Sequence, residues 1–404
     1  MADKALGWSG VSDKRSYYRL FAGYVIALVA TGIATVALAL LAFDLAGEDS
    51  GAVIGTALSL KMLAYVLAAP ILAALTERIP RKRLLIALDL IRAASLFLLP
   101  FVTQVWQVNL LVFVFAVASA TFGYVYLAVV PYLLGSEEDY TRSLARSRIA
   151  SELEGPISPL LAAGLLFFLA AAGIFALSAI AFIVSAALVN GARMPEHVSV
   201  RNERFWSKLL RGPKMFLAMP ELRSVIAIDV AVALATAMVM VNTVVIVQGL
   251  FDLRRDATAW AFFAFGGGSI LGAVLFPLVL TAIKDRRIML IGSSILAAGL
   301  AFGALQQSLA GLLLLWALLG FGVAWSLTPI TFLIRRFADP ADLQILFVAQ
   351  MSLANLCLLV AYPLAGWLGA ALGMPVTFLL LGFGAAIATW VATLLWPAVD
   401  SAEA

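Results

Sequence analysis

The chain has 404 residues, of which 63% are hydrophobic and 12% charged, with a mean hydropathy of +1.04. So little polar surface cannot clothe a water-soluble globule of this size, and lipid is the expected solvent for most of the protein. The net charge of +4 and pI of about 9.2 come from cations scattered between apolar runs, which argues against a nucleic-acid partner, while a single cysteine, Cys357, excludes an internal disulfide or a multi-cysteine metal cluster.

Apolar runs of about 18 or more residues read as membrane helices. The first, 18–43, follows a polar stretch and is longer than the apolar region of a signal peptide, so it is expected to remain as a span. Further spans are predicted at 51–76, 84–101, 107–134, 144–171 and 173–193, then at 223–249, 258–283, 288–306, 309–334, 343–370 and 375–397. Charge, Pro or Gly marks nearly every break between them. Of the 27 Lys and Arg residues, all but Lys61, Arg92, Arg254 and Arg255 fall in the N-terminal tail or in alternate loops, which places both termini in the cytoplasm.

Six spans lie on each side of the longest hydrophilic interval. The expected architecture is an all-α integral membrane protein with twelve transmembrane helices in two pseudo-symmetric six-helix bundles, residues 1–193 and 223–404, joined by a cytoplasmic amphipathic linker at 194–222. The charged turn 77–83 recurs as 284–287, about half a chain later, and Pro131 is echoed by Pro329. Carriers duplicated in this way bind solute between their halves near the bilayer midplane and rock the halves to alternate access. In the linker, Trp206, Leu209, Leu210, Pro213, Phe216 and Leu217 are assigned to one helical face, and Arg204, Lys208, Arg211 and Lys214 interrupt it, the pattern of an interfacial helix.

The turn after span two, Ala73-Ala-Leu-Thr-Glu77-Arg78-Ile-Pro80-Arg81-Lys82, resembles the signature loop of the major facilitator superfamily, with Ala73 and Pro80 in place of the signature glycines and Glu77 in place of Asp. Asp89-Leu-Ile-Arg92, and Leu144-Ala-Arg146-Ser147 ahead of Gly155-Pro156, resemble the branch containing enterobactin and macrolide exporters. The resemblance implies a cytoplasmic gate formed by Glu77, Arg78 and Arg81, with Asp89 and Arg92, neighbours at i and i+3, as local partners. Gly155-Pro156 and Gly164 resemble the antiporter motif associated with export. In the resembled fold, spans one, four, seven and ten wall the substrate cavity. Thr31, Thr35, Tyr124, Tyr126, Asn242 and Trp325 are therefore candidate cavity residues, with Gln350 and Asn355 added from span eleven; in lipid such polar groups also serve as helix cross-links.

A charge in mid-span costs roughly 2.5–3.5 kcal/mol, so each one needs a partner or water. Lys61, Glu152, Glu154 and Asp229 are the candidates for ion coupling, besides the Asp89–Arg92 pair. Glu152 shares a face with Arg148, which suits a structural pair, whereas Glu154 shares its face with Ser151 and Ser158 and is the better proton carrier. For Asp229, pairing with Arg223 or another cytoplasmic cation is the structural alternative. The only histidine, His197, lies in the linker, so no imidazole relay crosses the membrane.

Gly268/Gly272, Gly299/Gly303 and Gly369/Gly373 are expected to form close packing surfaces. A phosphate loop is absent from the sequence, so energy comes from a gradient or none is used. The expected function is a secondary active transporter exporting a small amphipathic solute, drug-like or siderophore-like, in exchange for protons. Uptake or uncoupled facilitation on the same fold is the alternative. A polytopic lipid enzyme is more remote, since Glu137, Glu138 and Asp139, the one acidic cluster, read as a solvated loop. The expected partners are the solute, protons and the bilayer of a bacterial inner membrane; no cofactor, metal or nucleic acid is expected, and the expected state is a monomer.

Overall fold

The computed structural model describes residues 13–68, 72, 76, 79–134, 137–166, 168–194, 205–280, 283–337 and 342–396, and all regular structure among them is helical. The helices are α1 Lys14–Ala46, α2 Ser50–Leu63, α3 Arg81–Leu98, α4 Val105–Leu133, α5 Glu137–Leu166, α6 Ala171–Asn190 and α7 Phe205–Ala218. They continue with α8 Pro220–Val244, α9 Arg255–Leu280, α10 Asp285–Gly303, α11 Leu309–Leu327, α12 Ile330–Phe337, α13 Leu343–Leu372 and α14 Met374–Leu395. Eleven helical stretches are long and apolar enough to cross a membrane among the described residues, and each coincides with a predicted span.

The helix at the remaining predicted span, α5, starts at Glu137 instead of 144. Glu137, Glu138 and Asp139 thus form its first turn, not a loop, and Asp139 pairs with Lys14 at 3.0 Å. Acids are favoured there because a helix N-terminus carries partial positive charge.

Local sequence explains the helix ends. Asp13 caps α1 by accepting from the Ser16 backbone N–H at 3.0 Å and the Ser16 hydroxyl at 2.7 Å. Those two donors hold the Asp13 carboxyl below its ordinary pKa. Gln104 and Gln107 form a reciprocal capping box on α4. Within the spans, hydroxyls bond back to the preceding turn, as Thr121 does to the Val117 carbonyl at 2.6 Å and Thr389 to that of Ala385 at 2.8 Å. That geometry satisfies a hydroxyl where no water competes. Pro329 separates α11 from α12 because it supplies no backbone N–H to continue the ladder. The ends of α2 and α8 widen into π turns at Ala64–Ala68 and Val245–Leu250.

Contacts group the chain into two compact units, Met1–Leu41 with Leu63–Asn202, and Ala42–Met62 with Glu203–Ala404. The first unit packs α3 against α4 and α6 over a core that includes Leu85, Leu88, Phe122, Val125, Val129 and Val189.

The second unit is centred on α8, the most enclosed of the spans, against which α13 and α14 pack. Glycines set its helix spacing. A Cβ on Gly268 would strike the Ala317 carbonyl, and one on Gly320 the Phe265 carbonyl, so α9 and α11 approach backbone to backbone. Gly51 and Gly55 of α2 likewise fit against Asn242, Tyr362 and Gly366. Of the third expected glycine pair, Gly369 packs against Asn242 and Met374, but Gly373 forms the turn between α13 and α14 at φ +78°. A left-handed turn residue cannot also be a packing residue of the preceding helix.

Helix α7 docks on α13, with Phe216 fully buried and Gly212 against Ile345 and Ala349. Leu217, assigned by sequence to the same apolar face, is instead 45% exposed, since it stands about 100° around the helix from Phe216.

Candidate functional site

In the first unit, the Asp89 and Arg92 side chains form an ion pair with exposures of 0% and 3%. Ser185 of α6 donates its hydroxyl to the second Asp89 oxygen at 2.9 Å. The Arg92 guanidinium lies 4.2 Å from the ring centre of Phe122 on α4 and 4.5 Å from that of Phe182 on α6. One charge pair on α3 thereby holds α4 and α6, replacing water with an acid, a hydroxyl and two aromatic faces.

Arg92 is eleven residues from the start of α3, about 16 Å at 1.5 Å per residue, and its side chain does not reach solvent. Asp89 and Arg92 thus form the local pair that their spacing predicts, set in the interior of the first unit. Arg81, the first residue of α3, is itself buried. Glu77 and Arg78 lie outside the described residues.

In the second unit, Asp229 stands nine residues into α8 and is 2% exposed. The Gln350 amide of α13 faces its Oδ2 at 3.5 Å. Arg223, its sequence-suggested partner, is exposed and donates through Nε to the Leu217 carbonyl at 2.5 Å. Lys61 is half-buried in the last turn of α2. Glu152 and Glu154 fall within α5, and their side chains lie outside the described residues.

The polar and aromatic candidates are mostly used within their own units. Thr31 and Thr35 bond to the Ala27 and Thr31 carbonyls at 2.8 and 2.9 Å. Tyr126 is buried, stacks on Tyr24 with ring centres 4.4 Å apart, and shares a 2.8 Å hydrogen bond with Ser147. Asn242 donates to the Ala365 carbonyl at 3.0 Å and so cross-links α8 to α13. Trp325 donates to the Gly272 carbonyl at 3.2 Å. Tyr124 and Asn355 are half-buried.

Two groupings escape sequence reasoning. Asp285, the first residue of α10 and 3% exposed, pairs with Arg336 at the end of α12 at 2.9 Å. Beside it, Arg286 lies 5.6 Å from the Trp396 ring centre. The recurring charged turn 284–287 was the available signal, but its cationic residues concealed the one acid that is buried. The other grouping is the Trp316 indole donating to Thr243 at 2.8 Å, which ties α11 to α8.

Long apolar helices that enclose paired acids, cations and amides define the class of polytopic membrane transport proteins. The chain belongs to the major facilitator superfamily, whose profile matches residues 20–254 and 225–403. It is 24% identical over 381 residues to macrolide efflux protein A of Streptococcus pyogenes, covering 91% of this chain and 93% of that protein. Solved structures of the same fold include the nucleoside transporter NupG, with a TM-score of 0.68, 13% identity, and coverage of 93% of this chain and 98% of that one. A POT family transporter in complex with 5-aminolevulinic acid gives a TM-score of 0.70 at 12% identity, covering 97% of this chain and 99% of that one.

Proposed function

We propose that this protein exports a small amphipathic solute from the cytoplasm in exchange for protons, by alternating access. The observation that carries this reading is the similarity to a macrolide efflux protein along 91% of the chain. Twelve spans in two bundles, 1–193 and 223–404, with α5 as the fifth crossing, 194–222 as the linker and both termini in the cytoplasm, complete the proposal. Lys and Arg on alternate loops favour that orientation.

Asp229 is the proposed coupling group of the second half. A carboxyl group enclosed among apolar helices exchanges protons with solvent only when its surroundings alternate between dry and wet, and a rocking carrier supplies that alternation. Glu154 is the proposed carrier in the first half, with Glu152 structural. Thr35, Tyr124, Trp325 and Asn355, each half-buried, are the proposed cargo contacts that retain accessible surface, and Lys61, also half-buried, is a further candidate for ion coupling.

The test is flux in liposomes containing the purified protein under an imposed pH gradient, with dyes, macrolides and siderophores as cargo. Gradient-driven export that is lost in Asp229→Asn and Glu154→Gln but kept in Glu152→Gln supports the assignment. Loss in Glu152→Gln alone exchanges the two glutamates, and undiminished flux in all three removes proton coupling through these acids. A second reading, uptake or facilitation on the same fold, is distinguished in the same assay by the direction of net flux.

A further inference from the structure

The second unit carries an apolar trough of about 460 Å³ between α8 and α14. Ile226 and Val230 form one wall, and Ile387, Val391 and Leu395 the other. Gly384 keeps the floor low, where an added Cβ would meet the Leu234 side chain at 3.0 Å. The trough opens outward, since Ile387 and Leu395 are 45% and 42% exposed.

From Gly384 to Leu395 is eleven residues, about 16 Å of helix, close to half of a hydrocarbon core about 30 Å thick. That is the depth of one leaflet, which suits a single acyl chain lying along the helices and is too short for a passage across the membrane.

The mouth of the trough is charged. Arg223 lines it, and its Nε bond to the Leu217 carbonyl fixes the guanidinium there while directing the terminal amino groups elsewhere. A guanidinium held in this way presents the paired donors that match phosphate oxygens. On the preceding helix α7, Arg211 and Lys214 are exposed. Glu221, two residues before Arg223, projects about 200° from it around α8 and does not neutralise the same face. An apolar slot one leaflet deep, capped by a fixed cation, is complementary to a molecule with a tail and an anionic head.

We propose that this trough is a binding site for an anionic glycerophospholipid, with an acyl chain against Ile226, Val230 and Val391 and the phosphate on Arg223. The site lies within the second unit, does not include Asp229 and does not depend on the direction of transport. Cations near the membrane surface supply a general attraction for anionic lipids; the trough adds a fixed place for one of them. A second trough, about 520 Å³ and also headed by an arginine, Arg287, is lined among the described residues by one face of α10 and includes Ser294, and it serves as the control.

The test is native mass spectrometry of the purified full-length protein, titrated with phosphatidylglycerol and, separately, with phosphatidylcholine of the same chain lengths. The wild type is expected to retain phosphatidylglycerol preferentially. Arg223→Gln is expected to lower that preference about fivefold, the worth of one cation at the surface, while Arg223→Lys keeps most of it. Gly384→Leu, which fills the floor, is expected to reduce retention of both lipids, and Ile387→Trp is the alternative blocking variant should Gly384→Leu not fold. Arg287→Gln is expected to match the wild type. An unchanged preference in Arg223→Gln, an equal loss in Arg287→Gln, or full retention in a folded blocking variant would each overturn the proposal.

Discussion

Asp89 and Asp229 are both enclosed by the protein, but their surroundings differ. Asp89 meets a guanidinium three residues away and a serine hydroxyl from another helix, and the cation is itself held between two phenylalanine rings. Asp229 faces an amide, that of Gln350, at the longer distance of 3.5 Å. The first arrangement is tight and already neutral, so changing its protonation breaks several contacts at once. The second includes a neutral amide, which can turn its oxygen towards the carboxyl group once that gains a proton. The contrast is between a charge that holds helices together and the acid proposed above to exchange protons.

Removing the cation of the first unit tests that contrast most severely. Arg92→Met leaves Asp89 buried without its partner and should cost about 3–5 kcal/mol, measured as a lowered unfolding temperature in detergent; the double variant Asp89→Asn/Arg92→Met should recover much of the loss. Asp229→Asn should instead keep the wild-type unfolding temperature while losing gradient-driven flux in liposomes. If it destabilises as strongly as Arg92→Met, the two acids do the same work and the distinction fails.

A smaller effect is expected for Ser185→Ala, which removes one hydrogen bond to a charged group and should cost about 1.5–3 kcal/mol with flux retained in the protein that folds. The smallest concerns Asp13, outside the spans. Asp13→Ala should cost about 1 kcal/mol as a lost helix cap. Because the folded-state pKa of Asp13 lies below its unfolded value, its contribution is complete above the unfolded pKa and disappears as pH falls through the folded one. Thermal unfolding of wild type and Asp13→Ala should therefore converge in acid.

Which contacts were legible in the sequence follows from how far apart their residues lie. Asp89 and Arg92 are one turn apart, so helical spacing alone brings them together. Ser185 reaches Asp89 from 96 positions further along the chain, and nothing local to either residue signals it. Gly268 and Gly272 advertise a close approach through their spacing, but that the surface they meet is α11 depends on how the second unit packs. Gly369 and Gly373 show the same spacing with different outcomes, because Gly373 ends its helix. Phe216 and Leu217 were given one face by composition, yet helix rotation buries one and exposes the other.

Hydropathy and charge are summed along the chain, and the free energy of placing a segment in lipid depends mainly on that sum. For this reason the sequence by itself determined the spans, the orientation it favours, and the residues too charged to face acyl chains unaided. Burial and partnership depend on the rotation of each helix about its axis and on the residues other helices bring alongside. Only the tertiary structure therefore decided that Arg92 is enclosed between Phe122 and Phe182, that Asp285 pairs with Arg336, and that Asp229 lies beside an amide.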